Sequence, residues 1–254
     1  MSRISDRIGS INAKGIKAVI PYVPAGYPTL EKFREIIREL DRPEVGAIEI
    51  GIPFSDPVAD GPVVEAASLE CLDAGMTLAK ALAEVKNCAP DLKAPLVFMG
   101  YCNSFLRYGV ERFARDAAAA GLSGVIVPDL PLEEAEEMRE ALRAAGIDLI
   151  PLVGVNTSDE RLQAYARTAQ GFVYCVSVLG TTGVREEGGF SPELEGSLRR
   201  VRNFFSVPLA LGFGLKRPGQ LDGFGNLIDA GVIGSALIRH IDAGGGIGEF
   251  FSRT

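Results

Sequence analysis

The sequence predicts one domain, residues 1–254, folded as a parallel (β/α)8 barrel. Three observations carry that prediction. Eight short apolar, β-rich runs recur along the chain, amphipathic stretches with helical spacing separate most of them, and no linker or composition break interrupts the alternation. The length of 254 residues also suits this architecture, which typically takes about 250. A doubly wound open sheet is the alternative. Eight strands without a Gly-x-Gly-x-x-Gly motif after the first argue against it.

The runs begin near Lys17, Gly46, Pro95, Ser123, Ile147, Gly171, Val207 and Gly231. Helical spacing predicts helices over 30–40, 111–120, 134–145 and 192–204. The segment Leu132-Glu133-Glu134-Ala135-Glu136-Glu137-Met138 is acidic and its helix ends near Arg143, the charge order that a helix dipole favours. With 47% hydrophobic residues the chain can bury a large core without disulfides or metal. Cys71, Cys88, Cys102 and Cys175 are widely spaced, as expected for reduced thiols in a cytosol. A net charge of −7 argues against nucleic acid or an anionic membrane as partner. The polar start Met1-Ser2-Arg3-Ile4-Ser5-Asp6-Arg7 is unlike a signal peptide, and no apolar stretch is long enough to span a bilayer. These features predict a cytoplasmic protein.

In such a barrel the active site lies at the carboxyl ends of the strands. Those ends read Tyr22, Glu49 with Asp60, Tyr101 with Asn103, Asp129, Val153, Ser177, Gly212-Phe213-Gly214 and Gly234-Ser235. Glu49 is the informative one. It interrupts an apolar run beside Ile48, Ile50 and Ile52, where an ionisable group is costly unless paired or used with a shifted pKa. Eleven residues later, Asp60 follows a loop stiffened by Pro53 and Pro57. The two carboxylates form either an acid/base pair or a structural arrangement in which Asp60 caps the next helix.

Gly212-Phe213-Gly214 and Gly234-Ser235 follow the seventh and eighth runs. Either could be turn chemistry alone, but together they occupy the usual phosphate site of this fold, where backbone N–H groups face an anion. The glycine-rich stretch 179–190 is longer than an ordinary βα loop and has the character of a lid. Absences narrow the chemistry further. His240 is the one histidine, expected on a solvated helix face, so no His/Cys ligand cluster exists for a metal. None of the seven lysines lies at the carboxyl end of a strand, which disfavours a Schiff base. Proton transfer by carboxylates on a small phosphorylated substrate remains.

The segment Ile48-Glu49-Ile50-Gly51-Ile52-Pro53-Phe54-Ser55-Asp56-Pro57-Val58-Ala59-Asp60-Gly61-Pro62 closely resembles the signature of the tryptophan synthase α-subunit family. The likeness continues through Pro21–Pro28, 99–103, 127–131, 174–177, 180–183, 212–214 and 234–236. It implies retro-aldol cleavage of indole-3-glycerol phosphate to indole and glyceraldehyde 3-phosphate. By position, the resemblance makes Glu49 the general acid/base and Asp60 the acceptor of the indole N–H. It places Tyr22, Tyr101 and Phe213 around the indole, and backbone groups of Gly183, Gly214, Gly234 and Ser235 on the phosphate. It makes Thr182 a lid residue linked to Asp60. It also implies a β-subunit partner in an αββα tetramer, with Asp56 and Pro57 at the interface. Pyridoxal phosphate would belong to that partner and no cofactor to this chain.

Three positions depart from the family pattern: Pro24 where Thr is common, Glu65 where Gln is common, and Cys175 where a second tyrosine is usual. The missing ring at Cys175 predicts a looser pocket wall. The stretch from Pro218 to Gly234 is also about one residue short, which clouds the register of the eighth strand. Two further readings stand beside the partnered α-subunit: a free-standing lyase of the same barrel, and a non-catalytic barrel that only activates a partner.

Overall fold

A computed structural model describes residues 2–177, 191–212 and 214–252. Nine parallel strands form one sheet: β1 (Ala18–Pro24), β2 (Ile48–Gly51), β3 (Leu96–Met99), β4 (Leu122–Ile126), β5 (Asp148–Ile150), β6 (Leu152–Gly154), β7 (Val173–Val176), β8 (Leu209–Gly212) and β9 (Ala230–Ile233). Their order is β5-β4-β3-β2-β1-β9-β8-β7-β6. The two ends of that order are consecutive in sequence and separated only by Pro151, so the sheet curls into a barrel. The fifth run of the sequence is thus one stave in two pieces. Proline has no N–H to give the ladder, which breaks the strand, while its carbonyl still accepts from Tyr174 N at 2.9 Å. Each of the eight staves begins within two residues of its expected start.

The helices follow from local chemistry. Thr29 caps Leu30–Glu39 by accepting from Lys32 N at 3.2 Å, and Phe33, Ile36 and Ile37 turn one stripe of that helix inward. Helix Pro192–Arg202 has proline in its first turn with Glu193 and Glu195, and ends on Arg199, Arg200 and Arg202. The expected helix over 134–145 is shorter. A 3-10 turn, Leu132–Glu134, precedes Glu136–Ala144.

Period-two alternation divides the core in two. Val19, Ile48, Ile50, Phe98 and Val173 pack outward against the helices, whereas Ile20, Ala47, Val97, Ile126, Phe172 and Ala210 fill the barrel. The N-terminal segment, polar by composition, forms helix Arg3–Asn12, and Ile4, Ile8 and Ile11 close the bottom of the barrel. Their i, i+4, i+7 spacing is the signal for it. Two glycines, Gly124 within β4 and Gly46 just before β2, make room for this plug. A Cβ on Gly124 would lie 2.8 Å from Ile4 Cδ1, and one on Gly46 would lie 2.9 Å from Ile8 Cγ1.

Among the described residues no helix is long and apolar enough to cross a membrane. All four cysteines are free thiols. Cys175 faces outward from β7 into the layer beneath the helices and is fully buried there. The expected loosening of the pocket wall at this position is therefore incorrect, because its neighbour Tyr174 occupies the inward side. His240 lies on helix Ser235–Asp242 next to the exposed Arg239. It is half-buried beside Phe250, and its Nε2 donates to Gly246 O at 2.9 Å.

Candidate active site

At the carboxyl end, β2 supplies Glu49. Alternation points Ala47, Glu49 and Gly51 into the barrel and sends Ile48, Ile50 and Ile52 to the opposite face. Glu49 is fully buried, and neither carboxylate oxygen has a hydrogen-bond partner among the described residues. Burial first, and the Asp60 charge second, push its pKa up to about 8. A buried carboxyl held neutral near pH 7 is a proton donor waiting for an acceptor.

Asp60 enters the same cleft from the loop after β2. It does not cap the next helix. Gly61 is the N-cap of Pro62–Asp73 and Pro62 opens it, with no side-chain cap bond. Burial raises the Asp60 pKa to about 6; the Tyr101 hydroxyl opposes that by donating to the carboxylate, and the Glu65 charge adds to it. Near pH 7 the pair therefore holds one proton on Glu49 and a negative charge on Asp60, a separation of acid and anion set by environment.

The cleft walls come from four strand ends and one helix. Tyr22, Met99, Tyr174 and Val232 line it together with Val64. Two glycines seat the tyrosines. A Cβ on Gly51 would stand 2.1 Å from Tyr22 Oη, and one on Gly212 would stand 2.2 Å from Tyr174 Cε1. The Tyr22 hydroxyl also bonds the buried Ser68 of helix Pro62–Asp73. Tyr174, Val64, Met99 and Val232 are absent from the expected site residues. The inward parity of their strands is the signal that finds Tyr174, Met99 and Val232.

Tyr101 lies beneath the loop after β2 and does not line the cleft. Its ring stacks on Phe54 at 5.0 Å, and its hydroxyl accepts from Ala59 N at 2.9 Å. On the outside of the same loop Asp56 is exposed, but Pro57 is buried, and Val58 is 86% exposed. Asp129 caps helix Cys102–Tyr108 from the neighbouring loop by accepting from Cys102 N at 2.8 Å.

Gly214, with φ of +81°, follows β8, and Gly234 is the N-cap of helix Ser235–Asp242. Both face the cleft, together with Ser235. A helix start beside a glycine turn presents N–H groups and the positive end of the helix dipole to an anion. The eighth-strand register is plain: β9 ends at Ile233, immediately before this cap. Thr182, Gly183 and Phe213, and the whole 179–190 lid stretch, lie outside the described residues.

Comparison with known proteins gives one consistent match. A family model described as "Tryptophan synthase alpha chain" matches residues 8–247. The chain is 55% identical over 252 residues to a tryptophan synthase alpha chain of Solidesulfovibrio magneticus, covering 99% of this chain and 98% of that one. It is 50% identical to that of Nitratidesulfovibrio vulgaris strain DP4, covering 98% and 96%. Among solved structures, the alpha subunit from Legionella pneumophila superposes with a TM-score of 0.86 at 30% identity, covering 97% of this chain and 92% of that one. A chain of the α2β2 complex from Pyrococcus furiosus superposes with a TM-score of 0.81 at 36% identity, covering 89% and 90%.

Proposed function

The chain belongs to the tryptophan synthase alpha chain family, and from that premise we propose that Glu49 and Asp60 cleave indole-3-glycerol phosphate in the cleft described above. The carrying observation is Glu49: a fully buried carboxyl, without a hydrogen-bond partner among the described residues, facing a cleft that holds a second carboxylate.

The chemistry follows from the two protonation states. Neutral Glu49 gives its proton to indole C3, which becomes tetrahedral and leaves an indoleninium cation. Ionised Asp60 accepts the ring N–H and stabilises the positive charge, an effect strengthened by the low dielectric of the cleft. The Glu49 carboxylate then takes the proton from the hydroxyl on the carbon bonded to C3. That oxygen becomes the aldehyde carbonyl, the C–C bond breaks, and its electron pair restores the aromatic indole. Glu49 ends protonated as it began. Tyr22, Tyr174, Val64 and Val232 provide apolar and aromatic surface for the ring, while Gly214, Gly234 and Ser235 offer backbone N–H groups to the phosphate.

The pH dependence has two limbs. Asp60 must be ionised and Glu49 protonated, so kcat/KM rises through about pH 6 and falls through about pH 8. The indole product passes to a β-subunit partner in an αββα tetramer, and pyridoxal phosphate is that partner's cofactor. The exposed outer side of the loop carrying Asp60, at Asp56 and Val58, is the face for that partner. The same loop then joins the interface to the catalytic carboxylate, a direct route for mutual activation. We place the complex in the cytoplasm.

The test is indole release by the Glu49→Gln variant with and without a saturating β-subunit. Loss of cleavage with retained substrate binding supports the reading. Cleavage at the wild-type rate would overturn it and favour a barrel kept only to activate its partner.

A further inference from the structure

The turn after β8 is held from behind by one side chain that does not line the cleft. Gln220 is buried within the 3-10 segment Pro218–Leu227. Its Oε1 accepts from Lys216 N at 2.6 Å and from Arg217 N at 3.1 Å. One side-chain carbonyl thus satisfies two consecutive backbone donors and fixes their peptide planes. Immediately before them, Leu215 is buried and lines the cleft, and Gly214 takes the left-handed φ of +81°. Leu215 fits a recess over β9, where a Cβ on Gly231 would come within 2.8 Å of its Cδ1. The turn is therefore pinned on one side by an apolar wedge and on the other by Gln220.

A backbone anion site works only if its N–H groups already point at the anion, since reorienting them on binding costs much of the interaction. We propose that Gln220 is a positioning residue that holds the Gly214–Arg217 turn in the geometry that receives the substrate phosphate. The proposal rests on the assignment of Gly214, Gly234 and Ser235 to the phosphate. Gln220 touches neither the reacting bond nor the carboxylates, so its contribution is confined to recognition of the charged end.

The experiment compares KM and kcat for indole-3-glycerol phosphate and for its dephosphorylated form, indole-3-glycerol, in the full chain with saturating β-subunit. Gln220→Leu is the main variant. Gln220→Asn stays polar but is shorter by one methylene and cannot reach both amides; it decides the matter if the leucine variant does not fold. We expect KM for the phosphorylated substrate to rise about tenfold with kcat little changed, and KM for the dephosphorylated one to stay within about twofold. Equal losses on both substrates would reduce Gln220 to a general structural role and overturn the proposal, as would no loss on either. If wild-type protein itself fails to distinguish the two substrates, the phosphate assignment fails first, and this inference with it.

Discussion

The two ends of this barrel use the same strands to opposite effect. At the bottom, Asp229 precedes β9 and is tied on all sides: Arg202 pairs with it, Asn12 Nδ2 donates to Oδ1 at 3.3 Å, and Leu209 N donates to Oδ2 at 2.8 Å. At the top, Glu49 is more deeply buried and has no partner among the described residues. The glycines tell the same story. Gly46 and Gly124 admit aliphatic side chains of a sealing helix, whereas Gly51 and Gly212 admit tyrosine rings that wall an open cleft. The bottom of the barrel contributes stability. The top gives some of it up to keep a proton where a substrate can take it.

The sharpest way to break this contrast is Glu49→Gln. The rate of cleavage should fall by about 10³-fold or more, while the protein becomes more stable. The sign follows from linkage. A carboxyl raised from 4.5 to about 8 costs nothing below its unfolded pKa and destabilises the native state progressively up to about pH 8. The variant should therefore match wild type in thermal unfolding near pH 4.5. It should exceed it by several kcal/mol, of order 5, above pH 8. An equal melting temperature at pH 9 would mean that Glu49 is not destabilising as a buried charge, and the two ends would differ less than argued.

The complementary change is Ile8→Ala in the plug. It removes a fully buried side chain between barrel staves and should cost about 2–5 kcal/mol in denaturant unfolding. Cleavage measured well below the new melting temperature should keep its rate and both pH limbs. A displaced limb would show that the plug positions the site as well as sealing the barrel.

Gly212→Ala brings the two functions together in one residue. The new methyl would lie 2.2 Å from Tyr174 Cε1 and 2.6 Å from its hydroxyl, so the ring must move into the cleft. We expect about 1–3 kcal/mol of destabilisation, with kcat/KM about 10- to 100-fold lower. Gly46→Ala, which meets Ile8 at 2.9 Å, should cost similar stability and leave kcat/KM within about twofold. Equal kinetic losses in both would erase the division between the ends.

The sequence makes some of these features readable and hides others for physical reasons. Glu49 is legible because an ionisable residue in a buried strand is costly enough to require a reason. The strands are legible because both faces are apolar, and the break at Pro151 follows from proline itself. Helix Arg3–Asn12 is hidden because ten residues with an unfavourable mean hydropathy disguise three isoleucines at helical spacing. Tyr174 and Cys175 are adjacent, and only strand parity decides which one faces the cleft; a shift of one residue reverses the reading. Tyr101 presents the subtler case. Its place at a strand end suggests a pocket wall, but the proline-bent loop folds back over it and turns the ring into a support for Ala59 and Asp60. Loop paths of this kind depend on tertiary contacts that no local pattern encodes.

The smallest effect tests how far the electrostatics of the top reach. Glu65 is exposed on helix Pro62–Asp73, yet its charge contributes to the raised pKa of Asp60. It also stands where glutamine is common in the family. Glu65→Gln removes one negative charge near a carboxylate whose ionised form the reaction uses. The Asp60 pKa should fall toward its ordinary value, so the acid limb of kcat/KM moves to lower pH. The rate below pH 6 rises while that at pH 7.5, where Asp60 is already ionised, stays the same. Because the interaction runs partly through solvent, the displacement should be larger at 10 mM than at 500 mM salt. An acid limb that does not move at either ionic strength would confine the tuning of Asp60 to burial and Tyr101. The chemistry of the cleft would then be set entirely by groups that the barrel itself buries, and the outer helix layer would have no part in it.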